Sequence, residues 1–185
     1  YIVDNFGDVV REGSNQGTDL VQSYISFNLG DNLENLTLKG SSNVNGTGNS
    51  SANTIRGNSG ANRLNGGTGT DILIGGAGDD TYIVNNSNDV VREASGNGTD
   101  LVKSSATYVL SNSNVENLTL TGSSDINGTG NSSANTIVGN SGSNILKGSD
   151  GVDTLRGNAG NDILDGGAGI DILYGWSGND IYVVD

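Results

Sequence analysis

A nine-residue repeat constrains this chain more than any other feature of its sequence. Ten nonapeptides follow one another without gaps in two blocks, four from Gly48 and six from Gly130. In all ten the first place is Gly, the sixth is Asp or Asn, and the eighth is Ile, Leu or Tyr. A unit this short cannot enclose a core by itself, so neighbouring units must stack to bury their apolar residues.

A longer repeat, of about 81 residues, contains these blocks. The segment Tyr1–Val21 recurs as Tyr82–Val102 with most of its residues unchanged. This recurrence predicts a first repeat unit over residues 1–81, with nonapeptides over 48–83, and a second over 82–185, with nonapeptides over 130–183.

The nine-residue frame persists outside the two blocks. Asp89 and Asp100 fall at sixth places after the first block, separated by an insertion of Glu93 and Ala94, and Glu116 falls at a sixth place before the second block. We therefore expect one continuous solenoid rather than two domains joined by a linker.

Composition predicts a thin fold whose partner is a cation. Only 32% of the residues are hydrophobic, 31 of the 185 are Gly, and the net charge is -13. This charge argues against nucleic-acid phosphates and anionic membranes as partners, and no apolar run is long enough for membrane insertion. Because the chain has no Cys and no His, only oxygen ligands remain for a metal, which selects a hard ion.

Each place of the repeat has a physical interpretation. Glycines at the first and fourth places are expected to permit positive φ and a tight turn with inward carbonyls. The last three residues form a short strand whose middle side chain points into the core. Two nonapeptides then make one coil of an all-β fold, a right-handed parallel β-roll or β-helix solenoid with two parallel sheets. The predicted core column is Ile137, Leu146, Leu155, Leu164, Leu173 and Tyr182.

Turns eighteen residues apart stack on the same edge of such a solenoid, about 4.8 Å apart. Asp153 then meets Asp171, and Asp162 meets Asp180. Carboxylates this close repel one another unless a cation lies between them, and calcium takes six to eight oxygen ligands from carboxylates and backbone carbonyls. Turn chemistry alone explains one such Asp but not a stack of them, so the pattern favours a column of calcium sites.

The nonapeptides "GGTGTDILI", "GGAGDDTYI", "GNAGNDILD" and "GGAGIDILY" resemble those of the calcium-binding repeats-in-toxin (RTX, hemolysin-type) family. The resemblance implies a parallel β-roll in which each ion lies between two turns. One turn supplies the carbonyls of its second and fourth places and its Asp, and the next turn on that edge supplies the carbonyls of its first and third places and its Asp. Carried over to this chain, the resemblance implies at least four calcium ions. The four ligand sets are Ser149, Gly151 and Asp153 with Gly166, Ala168 and Asp171; Asn158, Gly160 and Asp162 with Gly175, Ser177 and Asp180; Gly67, Gly69 and Asp71 with Val84, Asn86 and Asp89; and Gly76, Gly78 and Asp80 with Ser95, Asn97 and Asp100.

Several residues depart from this pattern. Sixth-place asparagines carry no charge, so we expect metal-free structural turns held by amide hydrogen bonds. These residues are Asn53, Asn62, Asn135 and Asn144. The glutamates Glu12, Glu34, Glu93 and Glu116 are expected in solvent or outside the ligand shell. Trp176 is expected at the surface, where it could contact a sugar or a neighbouring molecule.

The predicted function is calcium-dependent folding of an extracellular structural repeat, without catalysis. Because the stacked acids repel one another, the chain stays expanded where calcium is scarce and folds where it is abundant. The resemblance implies a bacterial protein secreted by a type I route. The long repeat favours a surface-layer or adhesin-like protein at the cell surface, with calcium, neighbouring copies or units end to end, and a cell-surface glycan as partners. The alternatives are the accessory β-roll of a secreted lipase, protease or alginate epimerase and, less favoured, an ice-binding β-roll.

Overall fold

The computed structural model describes residues 1–184, and the protein is all-β over this range. The chain forms two compact units, residues 1–99 and the residues from Asp100 onward. The described strand pairs within each unit are parallel, which confirms the predicted β-solenoid class. Within residues 1–184 there is no helix that could cross a membrane.

The first unit contains ten short strands in two parallel sheets. One sheet has the strand order β1, β2, β4, β6, β8, β10, and the second contains β3, β5, β7 and β9 in that order. The strands are β1 Ile2–Val3, β2 Leu20–Ser23, β3 Phe27–Asn28, β4 Asn35–Leu38, β5 Gly46–Thr47, β6 Thr54–Arg56, β7 Arg63–Asn65, β8 Ile72–Ile74, β9 Thr81–Val84 and β10 Val90–Arg92.

The second unit repeats this architecture. One sheet contains β11, β13, β15, β17 and β19, and the other contains β12, β14, β16, β18 and β20. The strands are β11 Leu101–Ser104, β12 Tyr108–Val109, β13 Asn117–Leu120, β14 Gly128–Thr129, β15 Thr136–Val138, β16 Ile145–Asp150, β17 Thr154–Ala159, β18 Ile163–Ala168, β19 Ile172–Ser177 and β20 Ile181–Val183.

Register follows the predicted coil of two nonapeptides. In the second unit Leu146 faces Leu164, and Leu155 faces Leu173, eighteen residues along the chain. The segments before the blocks belong to the same stack, because Leu118 pairs with Val102 on one side and with Ile137 on the other. These segments are therefore coils of the solenoid and not linkers.

The core is a column of single side chains along each sheet. Of the six predicted members, Ile137, Leu146, Leu155 and Leu164 are fully buried, and Leu173 is only partly buried. The prediction for Tyr182 was wrong, since 49% of its surface is exposed, whereas its counterpart Tyr82 is fully buried. In the first unit the hydroxyl of Tyr82 donates a hydrogen bond to Glu93 of the coil that follows it.

Glycine enters the core column where the column is too crowded for a side chain. A Cβ on Gly46 would lie 2.9 Å from Ile55 Cγ2 and 3.0 Å from Leu36 Cδ2. The apolar side chains of the neighbouring coils already fill that space, so the "NGTGN" motif needs Gly at this position.

Candidate metal centre

The turns of the nonapeptide blocks have two backbone conformations. Where the sixth place is Asp, the second and fourth places have positive φ, as at Gly67 (87°) and Gly69 (133°) or Ser149 (88°) and Gly151 (133°). We call these the carboxylate turns: Gly66–Asp71, Gly75–Asp80, Gly148–Asp153, Gly157–Asp162, Gly166–Asp171 and Gly175–Asp180. Where the sixth place is Asn, no described residue of the turn has positive φ. These are the amide turns: Gly48–Asn53, Gly57–Asn62, Gly130–Asn135 and Gly139–Asn144.

The prediction of positive φ at the first place was therefore wrong, and the second place has it instead. First-place glycines are required for close approach. A Cβ on Gly148 would collide with the carboxylate of Asp153 and with the carbonyl of Gly166, which both lie against its Cα. Glycine at the first place thus leaves room for two oxygens that point into the same space.

Positive φ turns backbone carbonyls of a carboxylate turn toward the next turn on the same edge. The carbonyl of Gly151 faces Gly169 so closely that a Cβ there would collide with it. The carbonyl of Ala168 accepts a hydrogen bond from the N–H of Gly151, with an N to O distance of 2.9 Å. The predicted ligand carbonyls of both turns therefore lie between the turns, in a space that we call the cup.

The second predicted set in this unit has the same arrangement. The carbonyl of Gly160 faces Gly178, and the N–H of Gly160 donates to the carbonyl of Ser177 over 3.0 Å. The carbonyl of Gly175 lies 3.0 Å from the position that a Cβ on Gly157 would take. The backbone carbonyl of Asn158, another predicted ligand of this set, accepts a hydrogen bond from the Ser177 hydroxyl at 3.3 Å.

The sixth-place residues of stacked turns are joined by hydrogen bonds from backbone to carboxylate. The N–H of Asp153 donates to Oδ1 of Asp171 at 2.8 Å, and the N–H of Asp162 donates to Oδ1 of Asp180 at 3.0 Å. Each sixth-place carboxylate thus directs one oxygen toward the preceding turn. Its second oxygen, Oδ2, lies against the first-place Gly of its own turn.

Three of these second oxygens are buried without a donor. Asp71, Asp153 and Asp162 are 0%, 0% and 1% exposed, and no hydrogen-bond donor among the described residues reaches their Oδ2 atoms. A buried polar atom left in this state is costly, and a buried carboxylate oxygen more so. The arrangement fits a hard cation in the cup, since calcium coordinates carboxylate and carbonyl oxygens together.

Burial also raises the pKa of Asp71, Asp153 and Asp162 above the ordinary value of 3.8. A hydrogen bond from a backbone N–H of the preceding turn lowers each pKa by a smaller amount. The neighbouring carboxylate of the following turn raises it further. These groups therefore resist ionisation unless a positive charge is close to them.

The turn that contains Asp89 differs from the other predicted metal turns. No described residue from Val84 to Asp89 has positive φ. Oδ1 of Asp89 accepts the N–H of Asp71 at 2.9 Å, and Oδ2 accepts the N–H groups of Asn85 and Asn86 at 3.3 and 3.2 Å. The side-chain amides of Asn85 and Asn86 donate to the carbonyls of Gly67 and Gly69. Most of this predicted ligand set is therefore already hydrogen-bonded within the protein.

Around Asp80 the structure adds a residue that the sequence interpretation placed elsewhere. Glu93 is 8% exposed, accepts a hydrogen bond from the hydroxyl of Tyr82, and lies with Asp80 Oδ2 against Gly75. The expectation of a solvated Glu93 was wrong, whereas its position outside the ligand shell stays a prediction. The same contact joins Tyr1 and Glu12, eleven residues apart like Tyr82 and Glu93, so the recurrence of this spacing was the available signal.

The remaining predicted ligands of this set lie in two units. In the first unit the N–H of Gly78 donates to the carbonyl of Asn97 at 2.6 Å, the same link as in the cups of the second unit. Ser95 opens that turn, in which Gly96 (75°) and Gly98 (149°) have positive φ. In the second unit Asp100 is 1% exposed and its N–H donates to the carboxylate of Glu116 at 2.8 Å.

The amide turns close their own hydrogen bonds. Oδ1 of the sixth-place Asn accepts the N–H of the second place, as between Asn135 and Asn131 at 2.8 Å. The side-chain amide of Asn131 then donates to the carbonyls of Asn112 and Val115, both at 2.8 Å. Equivalent bonds occur at Asn49, Asn58 and Asn140. As predicted, amides hold these turns, although their partners are backbone carbonyls rather than stacked amides.

Fold and site together define a class, a β-solenoid with acidic, carbonyl-lined turns stacked along its edges. Comparison with protein families matches residues 47–82, 129–164 and 156–184 to the family described as "RTX calcium-binding nonapeptide repeat (4 copies)". The chain therefore carries RTX calcium-binding repeats, as the sequence predicted. Neither curated proteins nor solved structures gave a match.

Proposed function

We propose that this chain is a calcium-folded structural repeat region of a secreted bacterial cell-surface protein, of surface-layer or adhesin type. The observation that carries the proposal is the set of three buried Oδ2 atoms, in Asp71, Asp153 and Asp162, that lack a donor among the described residues. Calcium in the cup would satisfy these atoms and supply folding free energy that the thin core does not.

At least four ions are proposed, and the geometry ranks their sites. The cups of Asp153 with Asp171 and of Asp162 with Asp180 have inward carbonyls from both turns, so they are the strongest sites. The Asp71 and Asp89 site is weaker, because calcium must displace the side-chain amides of Asn85 and Asn86. For the fourth site the proposed ligand set stays the one that the family resemblance implies, and within the first unit Glu93 is an added carboxylate beside Asp80.

Circular dichroism, which follows the β content of the whole chain, and calorimetric titration with calcium, which counts the ions bound, test this proposal together. After exhaustive chelation the part of the β signal that comes from the carboxylate turns should be lost, and it should return with calcium. It should not return with magnesium, because magnesium demands a near-octahedral shell and retains its waters. An unchanged spectrum after chelation would show that calcium does not drive folding.

Repeats of this family are typical of secreted proteins, which supports an extracellular location. Calcium is scarce in the cytosol and abundant outside cells, so folding would follow export. Because the described residues supply stacked ligand sets rather than two carboxyls of contrasting environment, the chain itself is proposed to have no catalytic role.

A cell-surface glycan is proposed as a partner on the basis of one exposed aromatic pair. The rings of Tyr174 and Trp176 lie 6.1 Å apart at an interplanar angle of 24°, and Trp176 is 61% exposed. Aromatic faces suit the C–H surfaces of sugar rings. Fluorescence of Trp176, the only tryptophan, should shift when surface polysaccharide is added in calcium. A spectrum that saturating polysaccharide leaves unchanged would remove this partner.

Neighbouring copies or units end to end are the second proposed partner. Ile170, Tyr182 and Val184 are 81%, 49% and 81% exposed and line a cavity of about 470 Å³. Large exposed apolar groups of this kind mark interaction surfaces. Sedimentation velocity in calcium should show association as protein concentration rises. A strictly monomeric protein over the whole range would contradict it.

A further inference from the structure

The amide turns contain side-chain nitrogen where the carboxylate turns need a cation. In each amide turn the NH₂ group of the second-place Asn lies between two carbonyls of the preceding coil. For Asn49 these are the carbonyls of Gly30 and Leu33, at 2.7 and 2.8 Å. An amide NH₂ has two hydrogen-bond donors, so it satisfies both carbonyls at once and brings no charge that must be neutralised.

The other polar atoms of an amide turn are also paired. Oδ1 of Asn49 accepts the N–H of Ser51 at 2.8 Å, and Oδ1 of Asn53 accepts the N–H of Asn49 at 2.8 Å. The amide nitrogen of Asn53 donates to the carbonyl of Leu33 at 3.0 Å. In the carboxylate turns of Asp153 and Asp162, by contrast, positive φ at the second place accompanies a sixth-place Oδ2 that no donor among the described residues reaches.

Amide turns also donate hydrogen bonds to the first carboxylates of each block. The backbone N–H of Asn53 donates to Oδ1 of Asp71 at 2.8 Å, and that of Asn62 donates to Oδ1 of Asp80 at 2.7 Å. In the second unit, Asn135 and Asn144 do the same for Asp153 and Asp162, both at 2.7 Å. An ordered amide turn therefore offers a fixed donor and an open strand edge to the carboxylate turn that follows it.

We propose that the amide turns, with the strands that they join, form two calcium-independent seeds on which the carboxylate turns become ordered when calcium binds. The first seed spans residues 30–65 and the second spans residues 112–147, so each includes the carbonyls that its amides bind. In a solenoid each coil contacts only its neighbours, so one part can stay folded while the adjoining part is open, and folding spreads from a preformed coil. The inference rests on the proposed function, because it divides a calcium-folded chain into dependent and independent parts.

Hydrogen exchange of the full chain, resolved by peptide and measured with chelator and with calcium, tests this division. In chelator, peptides within 49–65 and 131–147 should keep protection at least about tenfold above peptides within 66–83 and 149–183. Calcium should then raise protection mainly in the latter. Uniform loss of protection in chelator would overturn the seeds and leave the proposed function standing. Full protection everywhere in chelator would overturn both.

A matched pair of variants tests the cause. Asn49→Ser removes the NH₂ group between Gly30 and Leu33 but keeps a small polar side chain. Its protection in chelator over 49–65 should fall about tenfold, while in calcium the variant should still fold. Asn28→Ser makes the same change at an exposed strand residue and should leave protection unchanged. Equal behaviour of the two variants would contradict a role for the amide.

Discussion

The amide turn Gly48–Asn53 and the carboxylate turn Gly66–Asp71 belong to stacked coils of one unit, yet they satisfy their backbone in opposite ways. In the first, Oδ1 of Asn53 accepts the N–H of Asn49, and the turn needs nothing further. In the second, positive φ at Gly67 and Gly69 accompanies carbonyls that face the next turn, and Oδ2 of Asp71 is buried without a donor among the described residues. One repeat thus supports two types of turn, one closed by its own side chains and one that leaves a buried carboxylate oxygen without a donor.

Charge alone does not set the backbone conformation of a turn. Asp89 carries the expected carboxylate, but its turn has the backbone of an amide turn and its Oδ2 accepts two N–H groups. A carboxylate that caps its own turn has few lone pairs left for an ion. Backbone conformation and side-chain charge must therefore agree before a cup can form.

The largest expected effect comes from a substitution that blocks the carboxylate backbone. At Gly69, φ is 133°, and a Cβ would lie 2.7 Å from the carbonyl oxygen of Ser51. Gly69→Ala should lower the free energy of unfolding in saturating calcium by about 2–4 kcal/mol, since strain and collision add. Denaturant unfolding measures this loss.

Ser51 is the matched control for Gly69, because it is the fourth place of the amide turn one coil earlier. Ser51→Ala keeps a Cβ that the amide backbone already accommodates and should change the unfolding free energy by less than about 0.5 kcal/mol. Similar losses in the two variants would show that the two backbones do not differ in their need for glycine.

The next effect is on calcium affinity. Asp153→Asn removes one of the charges around its cup, so the calcium concentration at the folding midpoint should rise about tenfold or more. Asp150→Asn removes a charge at an exposed position of the same turn and should move the midpoint little. Titration followed by circular dichroism compares the two. If the calcium midpoint moved equally in both variants, the effect would come from the change in net charge and not from the cup.

The opposite substitution, from Asn to Asp, tests whether an added charge converts an amide turn into a turn that binds calcium. In Asn53→Asp an oxygen replaces the nitrogen that donates to the carbonyl of Leu33 at 3.0 Å, so the chelated protein should lose about 1–3 kcal/mol of stability. Calcium should not restore it, because the backbone lacks positive φ. An added calcium equivalent in calorimetry would show instead that the sixth-place residue alone selects the turn type.

Asn45→Asp is the reference for this test. Asn45 is exposed, and its Oδ1 accepts the N–H of Arg63 at 2.9 Å, a bond that a carboxylate can keep. Its stability in chelator should therefore stay close to that of the unchanged chain.

Much of this fold and site could be predicted because the repeat encodes it directly. The spacing of Asp153 and Asp171 predicts the coil length and places the two residues on neighbouring turns, and the eighth-place apolar residues predict most of the core column. What the sequence did not predict depends on contacts outside the frame. Glu93 belongs to the two-residue insertion and contacts Tyr82, and the hydrogen bonds that Asp89 accepts within its own turn go with a backbone conformation that an Asp at the sixth place does not determine.

The smallest expected effect is a dependence on pH that separates the two turn types. Burial raises the pKa of Asp71, Asp153 and Asp162 in the folded, calcium-free protein above the ordinary value of 3.8. A raised folded pKa contributes stability that is fully present below 3.8 and is lost as the pH rises through the folded value. In chelator, the carboxylate turns should therefore gain order as the pH falls from 7 toward 4, while the amide turns, which have nothing to titrate at the sixth place, should not change. Protons and calcium compete for the same oxygens, so calcium affinity should fall over the same range.

Acidification also reduces the net charge of -13, which could order the chain without any role for the cups. The triple variant Asp71→Asn, Asp153→Asn, Asp162→Asn distinguishes the two causes, since it should lose most of the order that the unchanged chain gains at low pH. A triple variant that gains as much order as the unchanged chain would assign the pH effect to overall charge and not to the cups.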